Sequence, residues 1–202
     1  VLIKKVDEGY ELHPEFKALL IRDSEFSKMV KELIEYGIET IEERYAQPYK
    51  DTNFQLYQKY TYEDVCRLLN WKKNLNAQNI GGYFYDTATK TLPVFINYDK
   101  TEDRFVSQQN LIALSKHPRK VDSSDADHFY KRTVKDRDNR IFLFVRKNKN
   151  DKEAKEFYFL GEIYAKGSPI PIKMEKTKDD AFEINYTLDV PVRDDIYEYM
   201  TS

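Results

Sequence analysis

Two stretches constrain the fold more than any others: Ile141 to Arg146 (IFLFVR) and Phe157 to Ile163 (FYFLGEI). Their aromatic and β-branched residues predict strands. Neither alternates apolar with polar, so each strand has to bury both of its faces. Four further runs of the same kind, Gly82 to Asp86, Pro93 to Tyr98, Ile170 to Met174 and Phe182 to Asp189, are separated by charged turns. Six short strands behind a helical segment predict an α+β chain whose sheet is small, curved and partly closed, a mixed β-barrel. Closure buries one face; the other has to be covered by helix or by ligand.

The helical segment comes first. Phe16, Leu19, Leu20, Phe26, Val30, Leu33, Ile34, Ile38, Ile41 and Tyr45 recur at three- and four-residue spacing, predicting helix over 14–46. Pro14 suits a first turn, and the pair Asp23, Ser24 can cap a second helix after a break. Pro48 and its polar neighbours interrupt the period, which sets a boundary between a helical connector at 1–50 and a domain at 51–202. Thr61 to Asn70 predicts a short helix with Thr61 as N-cap and Asp64 three residues on, close to a capping box. Cys66 lies on its apolar side. Residues 99–140 form a long insertion, with one helix expected at Gln108 to Ser115.

A single cysteine among 202 residues excludes an internal disulfide framework and multi-cysteine zinc sites, which makes a reducing cytoplasm the expected compartment. No apolar run reaches the ~18 residues that span a bilayer, so no membrane partner is expected, and a start on Val suggests a piece of something longer. The net charge of −2 is unevenly divided: residues 100–149 carry 13 Lys and Arg against 7 Asp and Glu, whereas both ends are acidic. A basic segment in an acidic chain is what phosphate contact requires; a solvated charged loop explains it equally well.

Catalytic signatures are missing. There is no GxxxxGK[ST] and no GxGxxG, and His13, His117 and His128 are scattered and fit no His-x-Lys-Asp nuclease pattern. Asp122, Asp125, Asp127 and His128 cluster in VDSSDADH but without the glycine and closing glutamate of a calcium loop. Asp151, Glu153 and Lys155 can be forced into a nuclease set, yet they read as a lysine-rich hairpin tip. The chain is therefore expected to bind rather than to catalyse, with no metal and no cofactor of its own.

The hairpin at 79–100 offers the binding chemistry. Tyr83, Tyr85, Tyr98 and the nearby Trp71 supply rings; Asp86, Asn97 and Asp99 supply hydrogen-bonding groups; Gly81 and Gly82 let a backbone or planar ligand come close. Those are the parts of a pocket for an extruded base. A bulge with ordinary core aromatics accounts for the same residues.

TLPVFINYDK (91–100), FLFVRK (142–147) and FYFLGEI (157–163), preceded by FQLYQKYTYEDVCRLLNW (54–71) and GGYFYD (81–86), resemble a C-terminal domain of unknown function found behind bacterial superfamily-two helicases. They look especially like the C-terminal domain of SauUSI-type modification-dependent (type IV) restriction endonucleases. The resemblance covers roughly 51–190 and is weakest over 116–140. It implies a reader similar to the SET-and-RING-associated (SRA) fold, which flips 5-methylcytosine or 5-hydroxymethylcytosine out of duplex DNA. It also implies a parent chain in which a helicase-like motor and a nuclease domain, using ATP and magnesium, are the partners. On this expectation Lys100, Arg104, Lys116, Arg119, Lys120, Lys131 and Arg132 hold phosphates, and the residues of the hairpin form the pocket. One methyl group in such a pocket is worth only about 1–3 kcal/mol. The rival expectation is a module that docks a helicase or nuclease core and has no base pocket.

Overall fold

The computed structural model describes residues 2–7, 9–44, 47–72, 83–98, 103–115, 118–147, 155–174 and 177–202. The chain divides into two compact units, Val1–Gln47 and Pro48–Ser202.

The first unit is a hairpin followed by two helices. Strands β1 (Ile3–Val6) and β2 (Gly9–Leu12) pair antiparallel, and Gly9, at φ +145°, takes a backbone conformation that side chains resist. Helix α1 (Pro14–Arg22) starts with proline in its first turn, where the missing N–H costs nothing. It ends at Asp23, whose Oδ1 accepts the Phe26 N–H at 2.9 Å and so starts α2 (Ser24–Arg44), as the sequence led us to expect. Phe16 meets Phe26 edge to face at 6.1 Å. No described residue of this unit is buried, and Met29, Leu33, Ile34, Ile38 and Ile41 are all more than half exposed.

The second unit is built on a seven-stranded mixed sheet. Its strands are β3 (Lys59–Tyr60), β4 (Thr91–Asn97), β5 (Arg104–Ser107), β6 (Asn110–Leu114), β7 (Arg140–Arg146), β8 (Phe157–Lys173) and β9 (Asp180–Leu188). The order is β4-β7-β8-β9-β6-β5, with β3 added to β8. Only β4 and β7 run parallel, in register from Thr91 opposite Arg140 to Asn97 opposite Arg146. Helix α3 (Tyr62–Leu68) follows β3, α4 (Ser124–Tyr130) lies between β6 and β7, and α5 (Asp194–Thr201) closes the chain. The Thr61 box that begins α3 is complete: the hydroxyl accepts the Asp64 N–H, and the Asp64 carboxylate accepts the Thr61 N–H.

The partly closed barrel is not formed. Among the described residues no sheet closes on itself, β5 pairs with β6 alone, and beyond β4 there are just two isolated bridges, Tyr83 with Val94 and Asp86 with Thr91. Residues 83–86 run antiparallel to β4 in the expected hairpin sense, but through these two bridges alone rather than as a full strand. The expected helix at 108–115 is the strand β6, since Asn110 to Leu114 finds an antiparallel partner in β9 and a hairpin partner in β5. The two strands expected at 157–163 and 170–174 are one long strand, β8, which pairs with β7 along its first part and with β9 along its second.

Burial of both faces is achieved without closure. One face of β4, β7 and β8 presents Leu92, Val94, Ile96, Ile141, Leu143, Val145, Leu160 and Ile163 to a core completed by β9, β6, α4 and α5. The other is aromatic: Phe95, Phe142, Phe144, Phe157 and Phe159 meet Phe54, Tyr60 and Tyr62 from the segment that leads into α3. Phe54 is fully buried and lies within 6 Å of four of these rings, Tyr60, Phe142, Phe144 and Phe159.

A bulge in β8 sets the alternation of its faces. Phe144 opposes Phe159, but Phe142 opposes Glu162, so one extra residue is accommodated, and Gly161 takes φ +93° there. A Cβ at Gly161 would stand 3.3 Å from Leu56 Cδ2 and 3.4 Å from the Tyr49 ring. The bulge turns Glu162 onto the aromatic side, where its buried carboxylate is held by Lys50 at 3.0 Å and by Arg140 Nε at 2.9 Å. Tyr49 accepts the Glu162 N–H and donates to Asp189 at 2.8 Å, and burial, with Asp189 beside it, pushes its phenol up to about 12. A buried carboxylate is tolerable when its charge is paired in this way.

Replacing Phe54 with alanine removes the central ring of the aromatic face. A loss of about 3–5 kcal/mol is expected in urea unfolding of the chain.

Candidate functional site

Most of the described residues expected to form one base pocket make contacts within the protein. Trp71 is buried, and its indole N–H donates to Thr91 Oγ1 at 2.7 Å. Tyr83 packs edge to face on Phe129 of α4 and donates its hydroxyl to the Leu114 carbonyl at 2.5 Å. Asp86 accepts from the Thr89 N–H and hydroxyl, both at 2.8 Å, and so closes the turn before β4. Asn97 accepts from Arg146 Nε at 2.5 Å. Tyr98 stacks on Phe105 and accepts its N–H at 3.2 Å. Gly81, Gly82 and Asp99 lie outside the described residues, as do Lys100, Lys116, Asp151 and Glu153.

Most described basic residues of the insertion already have acidic neighbours. Arg104 on β5 reaches Glu183 at 3.2 Å, Arg119 reaches Asp125 at 2.5 Å, Lys120 reaches Asp180 at 4.0 Å, and Arg132 reaches Asp127 at 3.7 Å. Lys131 instead lies over the Tyr164 ring at 5.9 Å. Two acids of VDSSDADH, Asp125 and Asp127, thus face arginines, and among the described residues no three His, Cys, Asp or Glu side chains are grouped for a metal. Nor is any helix among them long and apolar enough to cross a membrane.

One expected residue, Tyr85, does line a cleft. The cleft measures about 480 Å³ and is walled by Tyr85, Thr87, Lys90, Ser124, Asp127, His128, Thr133, Lys135 and Asp136. Its residues come from the turn before β4, from α4 and from the 3-10 turn at Val134–Asp136 that precedes β7. The turn and β7 are tied together by the Arg140 N–H, which donates to the Lys90 carbonyl at 2.9 Å. Tyr85 and His128 stack at 4.0 Å with 24° between their planes.

Behind this pair is a hydrogen-bonded cluster. His128 Nδ1 lies 2.7 Å from Asp136 Oδ1. Asp136 also accepts the Thr133 hydroxyl and Asn139 Nδ2, the latter at 3.1 Å. Asn139, wholly buried, in turn accepts the Tyr85 hydroxyl at 2.9 Å. Burial alone would raise the Asp136 carboxyl, but the bonds from Thr133, His128 and Asn139 outweigh it and hold it below its ordinary value. Tyr85 goes the other way, raised by burial and by the Asp136 charge.

His128, one of three scattered histidines in the sequence, has a partner eight positions on that sequence reasoning missed. The signal was present, because Thr133-Val-Lys-Asp136 repeats the Thr-x-x-Asp spacing of Thr61 to Asp64, and an aspartate so held is available to orient an imidazole.

On the inner side of α4 a second polar group is formed by tyrosines. Tyr186 and Tyr130 have buried hydroxyls with no hydrogen-bond partner among the described residues, and the Tyr186 phenol is raised well above its usual value by burial and by Tyr83, Tyr130 and Asp103 nearby. An unpaired buried hydroxyl is costly.

The family model described as a domain of unknown function, DUF3427, matches residues 54–200, almost all of the second unit. The chain belongs to the DUF3427 family. No curated protein matches it. The cleft of this DUF3427 domain, the aromatic face and the sheet all fall within the matched residues, whereas β1, β2, α1 and α2 precede them.

Two outcomes test this geometry. Tyr186→Phe removes an unpaired hydroxyl and should leave stability unchanged or raise it by up to about 1 kcal/mol, as read from urea midpoints. Asp136, depressed in the folded chain, contributes stability that is present above its unfolded value near 3.8 and is lost as pH falls through the lower folded value. Unfolding free energy should therefore decline with acid below about pH 5, and Asp136→Asn should flatten part of that decline.

Proposed function

We propose that this DUF3427 domain is a non-catalytic DNA reader, similar to the SRA type, that accepts an extruded modified cytosine in the cleft beside Tyr85 and His128. The observation that carries the reading is that stacked ring pair, set in a cleft whose volume lies within the roughly 300–1,000 Å³ of small-ligand sites. A flat π surface, acceptors from Asp127 and His128, and cations from Lys90 and Lys135 are what a cytosine edge needs. The methyl groups of Thr87 and Thr133 supply apolar contact for a 5-methyl substituent. Lys131 and Lys135 have no carboxylate within 4 Å among the described residues and are the cations beside the cleft that phosphate can meet.

The parent enzyme this reading implies is a modification-dependent restriction endonuclease with a helicase-like motor, acting in a bacterial cytoplasm and using ATP and magnesium outside this domain. A second reading, docking onto such a motor or nuclease, is favoured by one observation: the exposed apolar stripe of α2.

Fluorescence anisotropy with duplexes carrying 5-methylcytosine, 5-hydroxymethylcytosine or plain cytosine separates the two. The reader binds a modified duplex more tightly than the plain one, loses affinity steeply as salt rises, and loses the preference in Tyr85→Ala. Equal affinity for modified and plain duplex at moderate salt removes the base pocket and leaves docking.

A further inference from the structure

We propose that His128 is a specificity-determining residue of the cleft, its Nε2 kept as a hydrogen-bond acceptor so that a base edge bearing an amino group is taken and one bearing a carbonyl is refused. The inference rests on the reading that the cleft receives a base.

The argument begins at Asp136. Its carboxylate is buried, accepts from Thr133 and Asn139, and has no proton to give, so the His128 Nδ1 at 2.7 Å has to be the donor. In the neutral ring this leaves a lone pair on Nε2. The ring cannot readily turn over to exchange its nitrogens. Tyr85 stacks on it at 4.0 Å, Tyr85 is itself fixed by Asn139, and Asn139 Nδ2 also donates to the His128 carbonyl at 3.3 Å. Tautomer and orientation are thus set by Asp136, Thr133, Tyr85 and Asn139, and no described residue bonds Nε2.

The 4-amino group of cytosine donates to such a nitrogen. The 4-carbonyl of thymine, the deamination product of 5-methylcytosine, would face it lone pair to lone pair. Because Asp127 on α4 is also an acceptor and lines the same cleft, the wall around His128 is doubly suited to an amino group. Lys90 and Lys135 stand on the same cleft and suit the ring nitrogen or the 2-carbonyl, which both pyrimidines offer in accepting form at O2. Selection at the 4-position therefore falls to His128.

The test uses the whole chain and two duplexes that differ at one position opposite guanine, 5-methylcytosine in one and thymine in the other. The mismatched thymine is easier to extrude, so without selection thymine is favoured. At pH 8 the wild type should prefer 5-methylcytosine by roughly tenfold or more. His128→Phe keeps a ring over Tyr85 and loses the preference. Asp136→Asn, which can donate to Nδ1 and move the proton to Nε2, shifts it toward thymine. If His128→Phe keeps the wild-type preference while Tyr85→Ala loses binding, the His128 role is overturned and the cleft stands. If Tyr85→Ala binds both duplexes like the wild type, or the wild type binds neither, the cleft reading falls and this inference with it.

Discussion

Two strands that are apolar on both sides must be sandwiched, and the rest of the domain follows from how that is done. β7 and β8 have an aliphatic side and an aromatic side. Helices α4 and α5 with the far strands cover the first, and a short segment centred on Phe54 covers the second. Because covering replaces closure, the sheet keeps open ends, and its β4 end becomes a place where turns and side chains can form a cleft.

The bulge at Gly161 is what lets one strand serve both halves. Without the extra residue, Glu162 would point into the aliphatic core, where neither Lys50 nor Arg140 could reach it. With it, the only buried carboxylate on β8 faces two cations, and the strand resumes its alternation with Ile163 inward. The buried ion cluster and the bulge are therefore one device: the first makes tolerable what the second exposes to the aromatic side.

Much of this was legible in the chain itself. IFLFVR, FYFLGEI and TLPVFIN became β7, the first part of β8 and β4, because two-sided burial is written in their composition. The Thr61 and Asp23 caps were legible because capping is local chemistry. What failed was pairing at a distance. Asn110 to Leu114 has helical spacing, and only its partner β9, some seventy residues away, makes it a strand. The cleft failed for a related reason. Tyr85, His128 and Asp136 belong to three segments, and nothing in their spacing announces that the parallel pairing of β4 with β7 brings them together. The hairpin aromatics were correctly seen as conspicuous; Trp71 and Tyr98 turn their rings to internal packing.

Parallel pairing has one more effect. The walls carrying Tyr85 and Lys90 on one side and Asp136 and Asn139 on the other sit just ahead of two adjacent strands that point the same way, joined at their origins by the bond between Arg140 and Lys90. Neighbouring strands in register slide only together, so these walls are not independent loops that open and shut. The third wall, α4, is not rooted in the pair but is tied to both of the others through its imidazole, which lies on the Tyr85 ring and 2.7 Å from Asp136.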